Sequence, residues 1–260
     1  MTEPQPIVSR DNPLIKRLRL LAHDTTAYRK QGQVWLEGEH LCQALLARGG
    51  RPALALFTES HWPRADPSLR QAARKVHLVP DVLMAAISGL ESPASMGFVW
   101  DMPPGVRVQP GVASVVLDRL QDAGNVGSIL RSAAAMGFGQ VLAIKGTAAL
   151  WSPKVLRSGM GAHFALNLVE GLAHDEIAAT GLPLLVTSSH EGDFLHRAEL
   201  PWPCAWVLGH EGQGVASALA GQAARLVRIA QPGGEESLNV AAAAAICLHA
   251  SAASRPALSL

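Results

Sequence analysis

The stretch ASVVLDRLQDAGNVGSILRSAAAMG, residues 113–137, decides the fold class. It opens on an uninterrupted apolar run closed by an acid, then passes into a segment whose Ile129, Leu130, Ala133 and Met136 recur at helical spacing. A strand without polar alternation is one covered on both faces, and a strand leading straight into a helix is half of a βαβ unit. The pattern repeats downstream: VLAI, FALNLVE, PLLVT, CAWVL and LVRIA are short and apolar, and the alanine-rich VAAAAAICLHA reads as the last helix. Residues 112–260 are therefore predicted to form an α/β domain with a mostly parallel sheet.

Upstream, helical patterns (LIKRLRLLA, HLCQALLARG, PSLRQAARK) alternate with short apolar runs (LALFT, VHLVP, SMGFVW). That mixture predicts a smaller α/β domain over residues 1–105. Between the two lies MPPGVRVQPG, residues 102–111, where prolines stiffen and glycines bend the connection.

Composition excludes several classes. At 260 residues and 48% hydrophobic content, the chain can bury a core without disulfides or metals. Cys42, Cys204 and Cys247 are widely separated and lack CxxC or Cys/His spacing, which points to reduced thiols and a cytoplasmic setting. The start, MTEPQPIVSRDNPLIKRLRLL, has no apolar segment of signal length, so export is not expected. The longest apolar run, residues 240–248, falls well short of the roughly 20 residues of a membrane helix. Net charge is +1, so a nucleic-acid contact has to rest on local distribution. Residues 10–30 hold six basic side chains against two acids, and Arg10, Lys16, Arg17 and Arg19 fit either a phosphate-binding patch or a solvated helix face.

Open parallel sheets bind ligands at the carboxyl ends of their strands, and three loops there stand out. In the first, Asn125 reads as the cap of the helix ending at Gly137 or as a ligand group. Arg131 has Gly127, Ser128, Ala134 and Ala135 at i±3 and i±4, so its guanidinium rises from a floor of small residues, which suits a bound anion. The second loop, GHEGQG at residues 209–214, has the wrong glycine order for a dinucleotide fingerprint and places Glu211 where a pyrophosphate would lie. A ligand read through backbone groups and a plain turn with a solvated glutamate both remain open. The third, QPGGEESLN at residues 231–239, offers Ser237 or Asn239 as cap of the last helix, with Glu235 and Glu236 favouring its positive end. Capping leaves the Pro-Gly-Gly unaccounted for. There is no GxSxG elbow and no HExxH, and His163 and His210 are assigned no role.

Taken together, NVGSILRSAAAMG, LGHEGQG and IAQPGGEESLNVAAAAA resemble, in order and spacing, the three motifs of the SpoU/TrmH family of RNA ribose 2′-O-methyltransferases, within the SPOUT superfamily. The resemblance spans roughly residues 112–252, and the SRDNPLIKRLRLL region looks like the start of the RNA-binding domain that many members carry. It implies a deep trefoil knot in the C-terminal domain, one of the rare exceptions to unknotted chains. It also implies a homodimer and S-adenosyl-L-methionine as cofactor. By motif match, Thr187, Gly209, Ile229 and Leu238 would hold the cofactor, while Asn125, Arg131, Glu211, Ser237 and Asn239 would be the catalytic and substrate-binding set. Arg10, Lys16, Arg17 and Arg19 become expected RNA contacts, no metal is called for, and ribosomal RNA is favoured over transfer RNA. One departure is that the family's Ile-Pro is Ile229-Ala230 here, with Pro232 following. A non-catalytic RNA-binding assembly factor with the same fold is the competing expectation, and a base methyltransferase is disfavoured by the NxGxxxR and SLN motifs.

Overall fold

The computed structural model describes residues 3–234 and 237–254. They fall into two compact units: the residues through Pro104 with Trp151–Phe164, and Gly105–Leu150 with the residues from Ala165 onward.

The first unit runs β1 (Gln5–Pro6), α1 (Pro13–His23), α2 (Ala27–Gln31), β2 (Gln33–Glu37), α3 (Glu39–Ala47), β3 (Leu54–Thr58), α4 (Pro67–Gln71), β4 (Val76–Val79), α5 (Asp81–Ile87) and β5 (Met96–Asp101). The strands form one mixed sheet in the order β1-β4-β3-β5-β2. Helix α1 starts where the Asn12 side chain accepts the Leu14 N–H at 2.9 Å, with Pro13 supplying a preset first turn. It buries Ile15, Leu18, Leu21 and Ala22, a helical spacing that turns Lys16 and Arg19 to solvent. Strand β2 escapes the sequence reading because QVWLE follows α2 after a single left-handed residue, Gly32.

The second unit contains β6 (Ser114–Asp118), α6 (Ala123–Ala135), β7 (Gln140–Ile144), β8 (Asn167–Leu172), β9 (Leu184–Thr187), β10 (Asp193–Phe194), β11 (Ala205–Gly209), α8 (Ser217–Ala220), β12 (Arg225–Arg228) and α9 (Val240–Ala253). Its seven strands lie in the order β10-β12-β9-β11-β6-β7-β8, and every pairing is parallel. Successive strand residues point to opposite faces. Val116, Leu142, Val186 and Val207 join one core with Ile177 and Leu219, while on the other face Trp206 donates its indole N–H to Ser251 of α9 at 2.8 Å. Both faces are thus covered, which is why these strands read as continuous apolar runs.

Between β7 and β8 the segment Trp151–Phe164, with helix α7 (Pro153–Gly159), groups with the first unit, although the sequence reading carried it within residues 112–260. Among the described residues, no helix is long and apolar enough to cross a membrane.

Candidate active site

Strand β6 has β7 on one side and β11 on the other, so the loops leaving β6 and β11 lie side by side at the carboxyl edge of the sheet. The loops after β9, β11 and β12 line a cavity of about 820 Å³ at these carboxyl ends. Thr187, Gly209, Ile229 and Leu238, the expected cofactor residues, all line it, together with Glu211, Ser237 and Asn239.

A chain of hydrogen bonds joins the loops after β6, β11 and β12. Asn239, not Ser237, caps α9: its Oδ1 accepts the N–H groups of Ala241 and Ala242 at 2.9 and 3.2 Å. Those donors fix the side-chain amide, so Nδ2 faces outward and donates to Asn125 Oδ1 at 3.0 Å. Asn125 is fixed in turn, and its Nδ2 donates to Glu211 Oε1 at 3.3 Å. A carboxylate accepts only, so the polarity of the whole chain is determined from the first turn of α9 to Glu211.

Glu211 also receives the backbone N–H groups of Gln121 and Asp122, both at 3.4 Å. Burial works to raise its pKa, but its own backbone N–H, the Asn125 amide and these two donors outweigh burial and hold the carboxyl below its ordinary range. Glu211 stays ionised and ties the loop after β11 to the start of α6.

Helix α6 decides between the two readings of Asn125. Its cap is Asp122, whose Oδ1 accepts the Asn125 N–H at 2.7 Å, so Asn125 sits inside the first turn with its side chain free for the relay. Arg131 lies six residues further on, about 9 Å along the axis and two-thirds of a turn around it. The side-chain partners of Asn125 are Glu211 and Asn239, and Arg131 is not among them. Arg131 is exposed and makes no hydrogen bond or ion pair among the described residues. Glu235 and Glu236 lie outside the described residues.

The cavity suits an adenosyl sulfonium ligand on four counts. Its size falls in the range of about 300–1,000 Å³ usual for cofactors. A Cβ added at Gly209 would lie 2.2 Å from the Gly214 carbonyl carbon, so the loop folds onto the strand end and presents backbone rather than side chain. Gln231 Oε1 lines the cavity, is buried and has no hydrogen-bond partner among the described residues, an acceptor suited to an amino or hydroxyl donor of a ligand. Apolar contact comes from Val186, Leu226, Ile229, Leu238 and Ala243. The Thr187 hydroxyl is already used, donating to the Val207 carbonyl at 3.0 Å.

Several groups in the site were not singled out from sequence. His210, assigned nothing, shapes its loop: Nδ1 accepts the N–H groups of Gly212 and Gln213 at 3.0 and 3.2 Å. Asp118, Arg119 and Gln213 also meet here. The acid that ends an apolar strand was the available signal for Asp118.

The basic residues of the first unit differ from one another. Arg10 and Arg19 are exposed, Lys16 is paired with Asp11 at 2.9 Å, and Arg17 is half-buried with its Nε enclosed. Among the described residues no group of three or more His, Cys, Asp or Glu side chains gathers to hold a metal.

Fold and site together define a doubly covered parallel α/β protein that takes its ligand among three loops. The family model described as the SpoU rRNA Methylase family matches residues 113–249, and the chain belongs to that family. A protein of Synechocystis named as an uncharacterized tRNA/rRNA methyltransferase is 34% identical over 253 residues, covering 94% of this chain and 92% of that protein. RlmP of Bacillus subtilis, a 23S rRNA (guanosine(2553)-2′-O)-methyltransferase, is 28% identical over 94% of this chain and 97% of its own length. The solved structure of a putative RNA methyltransferase of the TrmH family from Porphyromonas gingivalis superposes with a TM-score of 0.81 at 28% identity, covering 93% of this chain and 97% of that one.

Proposed function

We propose that this chain transfers a methyl group from S-adenosyl-L-methionine to a ribose 2′-hydroxyl of structured RNA, ribosomal RNA before transfer RNA. The observation that carries the reading is the relay Asn239–Asn125–Glu211 at the mouth of a cavity walled by Gly209, Ile229 and Leu238. Family membership supports the methyl-transfer chemistry, and the B. subtilis relative supports the ribose as acceptor.

Bound in the cavity, S-adenosyl-L-methionine supplies an electrophilic methyl on sulfur. The chain's task is to bring a hydroxyl oxygen into line with it, and positioning of that kind can contribute several kcal/mol. Asn125 and Asn239 hold fixed amides at the mouth, and Ser237, exposed on the same loop, adds a hydroxyl for cofactor or ribose. A guanidinium is a poor proton acceptor, so the role of Arg131 is to hold a phosphate and stabilise the alkoxide that develops as the hydroxyl proton passes to water. Its exposure and lack of a partner among the described residues support action on a group outside the relay, either the RNA or a second copy of the chain in a homodimer. The knotted path belongs to the same proposal. Its support is that the β12–α9 connection shares one cavity with the loop after β11. The first unit is the proposed RNA-binding part, with Arg10 and Arg19 exposed for phosphates.

The test is methyl transfer from labelled cofactor to total bacterial RNA, followed by mapping of alkali-resistant linkages. A 2′-O-methyl nucleotide is expected. Label on a base, or binding of RNA without turnover, would overturn the reading.

A further inference from the structure

Asp118 ends β6 and is completely buried, although neither the strand nor the following turn requires a charge there. Its carboxylate accepts Nε and Nη2 of Arg119 at 2.9 and 3.2 Å and a ring N–H of His174 at 3.1 Å. It also accepts the backbone N–H of Ala216 at 2.7 Å. Arg119 spends a further N–H on Gln213 Oε1 at 3.2 Å. To do so it sits at φ +61°, in the left-handed region that favours glycine, with its own N–H held by the Thr147 hydroxyl at 3.1 Å.

A buried charge and a non-glycine residue in left-handed backbone are both unfavourable, and both persist only where other interactions impose them. Here they meet on one target, because Gln213 and Ala216 flank Gly214 in the loop that lines the cavity. We propose that Asp118 and Arg119 are positioning residues that clamp the loop at residues 210–216 in its ligand-ready shape. The inference rests on reading the cavity as the cofactor site.

The loop has order within itself, since His210 and Gly214 exchange backbone hydrogen bonds at 3.0 and 2.9 Å, but these bonds do not tie it to β6, and Gly209, Gly212 and Gly214 leave it free to shift there. An unrestrained glycine loop has to be ordered when the ligand arrives, and that cost is subtracted from affinity. Glu211 holds the outer edge through long, exposed bonds of 3.3 and 3.4 Å. Asp118 holds the inner edge through a shorter, enclosed and charge-assisted set, which is the stronger kind. Loss of the inner rung should therefore weaken cofactor binding more than it slows transfer at saturating cofactor.

Three variants of the full chain test this, with S-adenosyl-L-methionine titrated calorimetrically and amide exchange followed across residues 209–216. Asp118→Asn keeps an acceptor for Ala216 but loses the charge that holds Arg119. Arg119→Gly removes the guanidinium while supplying the residue type its backbone favours. Arg119→Lys keeps the charge but not the fork. Asp118→Asn and Arg119→Gly are expected to weaken cofactor binding by about tenfold or more, to speed exchange at Gly212, Gln213 and Ala216, and to leave RNA binding unchanged. Arg119→Lys should recover part of the affinity.

Ser251→Ala, which loosens α9 on Trp206 away from the loop, is the control for general destabilisation. Asp118 or Arg119 variants that lose no more affinity than Ser251→Ala, or that leave loop exchange unchanged, overturn the clamp. Wild-type protein that binds no S-adenosyl-L-methionine sinks the cofactor reading instead, and loop exchange still decides whether the clamp exists.

Discussion

Replacing Asn125 tests the relay by a reversal of the usual rule that the more conservative change does less harm. Asn125→Ala removes the bonds to Asn239 at 3.0 Å and Glu211 at 3.3 Å. At a half-buried position each is worth about 1 kcal/mol, against which alanine returns roughly 0.5 kcal/mol of helix propensity. The net cost is about 1–2 kcal/mol, or roughly 2–8 °C in melting temperature for a unit of this size. Activity should fall much further, by about a hundredfold, because two loops lose their alignment to the reacting centre.

Asn125→Asp keeps the shape and still accepts from Asn239, but it sets a second carboxylate against Glu211, which is ionised. Two like charges about 4 Å apart in this half-exposed setting repel by about 1–4 kcal/mol. The aspartate variant should therefore be less stable and less active than the alanine variant. Melting curves and steady-state methyl transfer at pH 7 measure both. An aspartate variant equal to or better than alanine would refute the polarity deduced from α9.

Further expectations concern stability, charge and RNA. Ser251→Ala leaves the buried Trp206 N–H without its acceptor, costing about 1–3 kcal/mol, and an unchanged melting temperature would show that the bond contributes nothing. The folded-state pKa of Glu211 lies below its ordinary 4.5, so its contribution to stability is present above that value and is lost as pH falls below it. Glu211→Gln should accordingly flatten melting temperature against pH in the acid range, and identical profiles would contradict this. Arg131→Ala should abolish transfer with cofactor affinity near wild type; normal turnover removes Arg131 from the mechanism. Reversing Arg10 and Arg19 to glutamate should weaken RNA binding and lower its salt slope by roughly one to two units, whereas an unchanged slope returns these two residues to a solvated surface.

The sheet of the second unit was legible because burial on both faces leaves a composition signal within each strand: SVVLD, QVLAI, LLVT and AWVLG were all readable one at a time. Turn chemistry was legible for the same local reason, and QPGG before SLN marked the start of α9. The cap of α6 was not decidable from sequence because Asp122 and Asn125 are both good capping residues three positions apart, and choosing between them needs the backbone. The segment Trp151–Phe164 carries no mark in its own residues of grouping with the first unit.

The sequence by itself determined which residue types each loop carries and the order of the three motifs, since both are properties of neighbours along the chain. Only the tertiary structure decided which polar groups meet. Asn125 finds Glu211 across 86 positions and Asn239 across 114, and the direction of each amide is dictated by the next group in the relay. Asp118 shows the same division. As a letter it is an acid ending an apolar run, and its role appears only when Ala216, 98 positions away, brings a backbone N–H to within 2.7 Å.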